Sequence, residues 1–249
     1  MKRLTIILFS IIISACNSEK AGDCLQASGD IITKNYDIAD QTFSRIIVNE
    51  GVKLILKQGE VNSIIIESGK NIIDDVKIHI NEGLLEISNQ QSCNLFREYG
   101  LTTVIVTAPN ITSLRSSTEL DIWSEGILKY PKINIISEDW KSDFLNSGNI
   151  NLNLDSEEIS IVANGISIFY IKGKTKSLNI NFASNNPRLE AGELYVENVT
   201  LLQRSTNDII IAPTHSVKGK ITSTGDVRVL SNPEIIDVEE TYKGRLIMN

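Results

Sequence analysis

The sequence predicts an all-β protein, built as a solenoid of stacked strand units or, alternatively, as a β-sandwich. Three observations carry this expectation. Past residue 30 the chain runs in short alternating stretches rich in Ile, Val, Leu, Thr and Ser, without a convincing amphipathic helix. Turns containing Gly, Asn and Glu punctuate those stretches. From about residue 111 a loose repeat sets in, with a polar turn before each alternating strand.

The chain opens with MKRLTIILFSIIISA. Lys2 and Arg3 precede an apolar run from Leu4 to Ile13, too short to span a bilayer comfortably, and small residues follow. Residues 1–15 therefore read as a secretory signal. Ile13-Ser14-Ala15-Cys16 resembles a bacterial lipobox, in which Cys16 is diacylated on sulfur and the chain is cut just before it. The alternative is ordinary cleavage that leaves Cys16 as a free thiol. Residues 16–26 then form a lipidated start and polar tether, and two or three acyl chains would anchor stably where one is marginal. The expected location is a bacterial cell envelope, at the outer membrane on its periplasmic or surface face.

The formal net charge is −7, and losing Lys2 and Arg3 with the signal takes it to −9. Such a chain has no phosphate-neutralising surface, so nucleic acid is excluded as an expected partner and membrane contact rests on the acyl group. With Cys16 lipidated, Cys24 and Cys93 are left. In an oxidising compartment they read as a disulfide closing a loop of about 70 residues, the alternative being two buried thiols.

Strands are expected at residues 46–48, 52–56, 64–67, 76–80, 84–87 and 102–108, with a single helical turn within 71–76. The repeat follows: Glu119-Leu120-Asp121-Ile122, Gly148-Asn149-Ile150, Asn164-Gly165-Ile166, Asn207-Asp208-Ile209 and Gly225-Asp226-Val227. Second strands lie between, at 159–162, 177–182, 194–202 and 217–222. After residue 147 the turn motifs recur about every 16 to 23 residues, which suits a solenoid; the stretch around 185–191 matches poorly. Each unit is too thin to bury its own apolar face, and stacking buries Ile and Leu in a continuous core. Asn164-Gly165 is the only dipeptide of the hairpin type.

Several stretches resemble the head GIN domain family, labelled auto-transporter adhesins and common among lipoproteins of Bacteroidetes. They are Phe43-Ser44-Arg45-Ile46-Ile47-Val48, Gly51-Val52-Lys53-Leu54-Ile55-Leu56, Gly83-Leu84-Leu85-Glu86-Ile87, Val104-Ile105-Val106-Thr107-Ala108-Pro109-Asn110-Ile111 and Asn232-Pro233-Glu234-Ile235. The similarity covers roughly residues 27–248, with a possible subdivision near 110. It implies right-handed β-helix-like rungs, a surface or periplasmic location and no established reaction. Glu240-Thr241-Tyr242-Lys243-Gly244 departs from the Gly-Ser-Gly-like turn usual in the family, leaving the last rung's shape open.

Catalytic and metal chemistry has little footing. His79, in a strand, and His215, in a turn after Pro213, lack the spacing to Cys or carboxylates that a metal needs. No Gly-x-Ser-x-Gly elbow stands out. Gly173-Lys174-Thr175 lacks the second glycine and following helix of a phosphate loop, and Gly173 reads as a turn between rungs. Asp74-Asp75, Glu138-Asp139, Glu157-Glu158 and Glu239-Glu240 read as solvated turn charges, since strand neighbours face opposite ways. Trp123 and Trp140 are the only tryptophans; Trp140, in a polar setting, is the candidate to stack on a sugar ring.

The expectation is thus a non-enzymatic envelope lipoprotein without cofactor. It would bind a glycan or protein through outward rung faces and the loops around 88–100 and 137–147. A polysaccharide-active enzyme is the alternative function, and self-association through open stack ends a third possibility.

Overall fold

The computed structural model describes residues 26–89, 98, 100–138 and 146–248. Among these residues the chain is all-β, with one 3-10 turn at Ile73–Asp75. The first strands are β1 (Ile31–Tyr36), β2 (Arg45–Asn49), β3 (Lys53–Gln58), β4 (Ser63–Gly69), β5 (Val76–Asn81), β6 (Leu84–Asn89) and β7 (Thr103–Ala108). Then follow β8 (Ser113–Ser117), β9 (Ile122–Glu125), β10 (Lys132–Ser137), β11 (Ile150–Ala163), β12 (Ile168–Phe182), β13 (Arg188–Gln203) and β14 (Ile209–Ile221). The chain ends with β15 (Val227–Val229), β16 (Ile235–Glu240) and β17 (Leu246–Met248). All of them belong to one hydrogen-bonded sheet that curls around a shared apolar interior.

The alternation seen in the sequence sets which side faces in. In β7, Val104, Val106 and Ala108 are buried, while Thr103, Ile105 and Thr107 are half-buried. The same period continues through the long strands. In β11, β12 and β14 an expected strand and the repeat motif before it merge into one, and β13 extends the strand expected at 194–202 back to Arg188.

Two rows of pairing organise the later part. In the first, Leu54 pairs with Ile122, Ile122 with Ile150, Ile150 with Phe169, Phe169 with Leu189, Leu189 with Ile209, and Ile209 with Val227. All seven side chains have no exposed area, so the column forms a continuous apolar spine. In the second, Ile46 pairs with Leu114, Leu114 with Ile135, Ile135 with Ile161, Ile161 with Ile180 and Ile180 with Leu201. Between β11 and β17 the paired strands are parallel, offset by about 20 residues.

The N-terminal part departs from a uniform parallel stack. β1 pairs with β4, β4 with β7 and β5 with β6, all antiparallel. Chain economy explains the last of these: Glu82 and Gly83 join β5 to β6 with φ of 48° and 74°, and a two-residue turn with both φ positive closes only an antiparallel pair. Asn164-Gly165 makes no hairpin, since it links β11 to its parallel partner β12. β2 lies between β6 and β8, placing segments on both sides of residue 110 in one sheet.

The polar residue before each strand has a specific task. Asp121 Oδ1 accepts the Asn149 N–H at 2.9 Å, and Asn149 Oδ1 accepts the Ile168 N–H at 3.3 Å. Asp208 Oδ1 accepts from Asp226 N–H at 3.1 Å, and Asp226 Oδ1 from Arg245 N–H at 2.9 Å. Each side chain thus satisfies a backbone donor one unit further along. The ladder is interrupted where Ile168 and Arg188 stand at the equivalent position, since neither side chain can accept; Arg188 turns instead to Glu190 at 2.6 Å.

Two local expectations are corrected. Gly173 lies within β12, not in a turn, with φ of 108°; an added Cβ would sit 2.1 Å from the Leu154 carbonyl oxygen. His215 lies within β14, its Nδ1 3.1 Å from Glu234. The final unit does close: Thr241 N–H donates to Ile221 O and Gly244 N–H to Ser223 O.

Candidate functional site

If one residue of each strand points into the core, the next must point out. Ile122 and Phe169 are inward, so Trp123 and Tyr170 are outward. Register places Trp123 beside Asn151, Asn151 beside Tyr170, Tyr170 beside Glu190, Glu190 beside Ile210 and Ile210 beside Arg228. This outer row floors a groove of about 820 Å³, within the size range of small-ligand sites. Trp123 and Tyr170 are 46% and 43% exposed, so much of each aromatic face is available to a ligand.

Irregular pairing shapes the groove. The β12–β13 register shifts between Tyr170 and Gly173, and the β13–β14 register shifts between Ala191 and Val196. The extra residues in β13 bend the strand, as bulges do. Gly192 lies in that bulge, and a Cβ there would sit 2.8 Å from Leu230 Cδ1. Its bare backbone lets Leu230 settle against the groove.

Electrostatics divides the groove. At one end Arg228 Nε donates to Asp208 Oδ2 at 2.9 Å, and Arg188 stands 3.8 Å from the same carboxylate. Partial burial pushes the Asp208 carboxyl up, but the Arg228 hydrogen bond, the Asp226 N–H and the two guanidinium charges outweigh it and hold it below its ordinary value. Lys172 and Glu193 line the groove without an ion-pair partner among the described residues. Asn151 Nδ2, between the two aromatic positions, is covered and lacks a hydrogen-bond partner among the described residues. Leaving such a donor unmet costs roughly 1–3 kcal/mol.

Cys16, Cys24, Cys93 and Trp140 lie outside the described residues, as does most of the loops around 88–100 and 137–147. His79 and His215 stand on β5 and β14, and the described residues hold no cluster of three or more His, Cys, Asp or Glu suited to a metal. The carboxylate pairs are engaged by cations: Asp74 with Lys34, Glu138 with Arg115, Glu157 with Lys176, Glu158 with Lys132 and Glu239 with Lys220. Sequence reasoning missed Trp123 and Tyr170 as a pair. Each follows an apolar core residue, so outward orientation was readable; their proximity was not, because 27 residues and a long connection separate Asn151's neighbour Trp123 from the next rung.

Residues 42–233 match the family described as "Putative auto-transporter adhesin, head GIN domain". No curated protein matches the chain. Among solved structures, a putative adhesin from Bacteroides fragilis superposes with a TM-score of 0.78 at 16% identity, covering 90% of this chain and 100% of that one. A putative adhesin from Parabacteroides distasonis gives 0.61 at 13% identity, covering 90% and 99%. A protein from the same organism described as a putative lipid binding protein gives 0.61 at 12% identity, covering 88% and 97%. At these identities the likeness is one of fold.

Proposed function

Because the chain belongs to the head GIN domain family of auto-transporter adhesins, we propose that it is an adhesin-like binding module of the bacterial cell envelope. The match over residues 42–233 carries this reading, and the exposed aromatic groove supplies a surface on which binding can occur. In this reading the protein is a lipoprotein held at the outer membrane through Cys16, with a Cys24–Cys93 disulfide and no catalytic activity. Its partner is a glycan or a protein. The curled sheet is a right-handed parallel β-helix-like solenoid, with a β-sandwich as the alternative. The offset of about 20 residues between parallel partners supports the solenoid.

The test is direct. Purified envelope fractions should contain the protein with two or three acyl chains on Cys16 by mass spectrometry, and particles coated with it should adhere to cells or extracellular matrix. An unmodified Cys16 removes the anchor. Turnover of a polysaccharide without adhesion would favour the enzyme alternative.

A further inference from the structure

Binding at the outer row has a chemical direction. Trp123 and Tyr170 are separated by one strand, that of Asn151, so the two aromatic positions stand about 10 Å apart at the usual strand spacing. That distance is comparable with the advance of two pyranose units in an extended β-linked chain. Aromatic side chains present apolar faces of the size of a sugar ring. Between and beside them stand groups that pair with hydroxyls: Asn151, Asn153, Lys172, Glu193 and Glu190. The groove carries both charge signs, Lys172 and Arg228 beside Glu190 and Glu193, which argues against a strongly charged polymer.

We propose that the groove over Trp123, Asn151 and Tyr170 binds an extended glycan lying across the strands, with alternate sugar rings on the two aromatic side chains. The inference rests on the adhesin reading and names the ligand class for it. The groove continues past Gly192 to Leu230 and Arg228, which also line it. Selectivity follows from shape: an extended β-linked chain meets both rings, whereas a coiled α-linked chain meets one.

The test uses the full chain in detergent, with Trp140→Phe so that Trp123 is the only tryptophan. Cellohexaose, chitohexaose and mannohexaose are titrated by calorimetry and tryptophan fluorescence, with maltohexaose as the coiled control. At least one β-linked hexasaccharide should bind and perturb Trp123 emission, with its disaccharide at least about tenfold weaker. Trp123→Ala and Tyr170→Ala should each weaken binding by at least about tenfold, while Trp123→Phe largely restores it. Gly192→Leu should block the groove, and Tyr195→Ala, outside it, should leave binding unchanged. Circular dichroism confirms that each variant is folded. Absence of binding by every hexasaccharide at millimolar concentration overturns the proposal, as does binding indifferent to Trp123→Ala. Capture of a protein partner that Trp123→Ala abolishes, without glycan binding, overturns it in favour of a protein ligand. Particle adhesion is scored separately: adhesion without glycan binding sinks only this inference, and loss of adhesion sinks the adhesin reading itself.

Discussion

At the residue scale, Tyr130 is the clearest misfit between chemistry and position. Its side chain is buried and its hydroxyl has no hydrogen-bond partner among the described residues. Burial disfavours the phenolate and pushes its pKa up to about 12. The unfolded phenol titrates near its ordinary value of about 10, so protons are lost from the unfolded chain first. The contribution is therefore complete below pH 10 and is lost as pH rises through 12. Alkaline denaturation should reveal it as a stability loss of roughly 2–3 kcal/mol that Tyr130→Phe abolishes. The same variant, by removing an unmet hydroxyl, should raise stability at neutral pH by about 1 kcal/mol in urea titration. Gly173 is the opposite case, a residue matched to its place. Gly173→Ala forces a Cβ against the Leu154 carbonyl at a φ that side chains rarely adopt. A loss of roughly 2–4 kcal/mol is expected from the denaturation midpoint.

At the element scale, the spine of inward residues links one strand to the next. Phe169 and Phe182 sit on the two halves of β12, their ring centroids 5.9 Å apart and tilted by 32°, and neither is exposed. Phe169→Ala should cost about 3–5 kcal/mol because the flanking Ile150 and Leu189 are held by their own ladders and cannot close the cavity. The side-chain ladder before the strands is weaker but specific. Asp226→Ala removes the acceptor for the Arg245 N–H and should cost about 1 kcal/mol, with hydrogen exchange at Arg245 rising more than at interior strands. Its effect belongs at the end of the stack, since only β17 lies beyond it.

At the scale of the whole molecule, both ends of the sheet carry edge strands. β1 and β5 each pair antiparallel with one strand at one end, and β16 and β17 each pair parallel with one strand at the other. The inward column loses cover there: Leu246 is half-buried and Ile236 is 49% exposed. Asp237, Glu239 and Glu240 place negative charge along β16, with Lys220 2.7 Å from Glu239. Edge charges of this kind oppose strand-to-strand association. Asp237→Val combined with Glu240→Val should therefore convert the chain to a concentration-dependent oligomer in sedimentation velocity. A sedimentation profile identical to that of the unaltered protein would show that these acids do not guard the edge.

The sequence by itself determined the strand content, the side of each strand that is buried and the near-20-residue repeat, because alternation and turn chemistry act between neighbours a few residues apart. Val104 and Val106 were readable as core from their spacing alone, and the Asp and Asn before the strands were visible as a motif. Tertiary structure decided what those motifs do and what stands beside what. The antiparallel N-terminal pairs, the merging of motif and strand in β11, β12 and β14 and the groove of Trp123, Asn151 and Tyr170 all depend on register between distant segments. Register is set by packing of the whole apolar spine, including bulges such as that at Gly192, and no local pattern encodes the sum of those contacts.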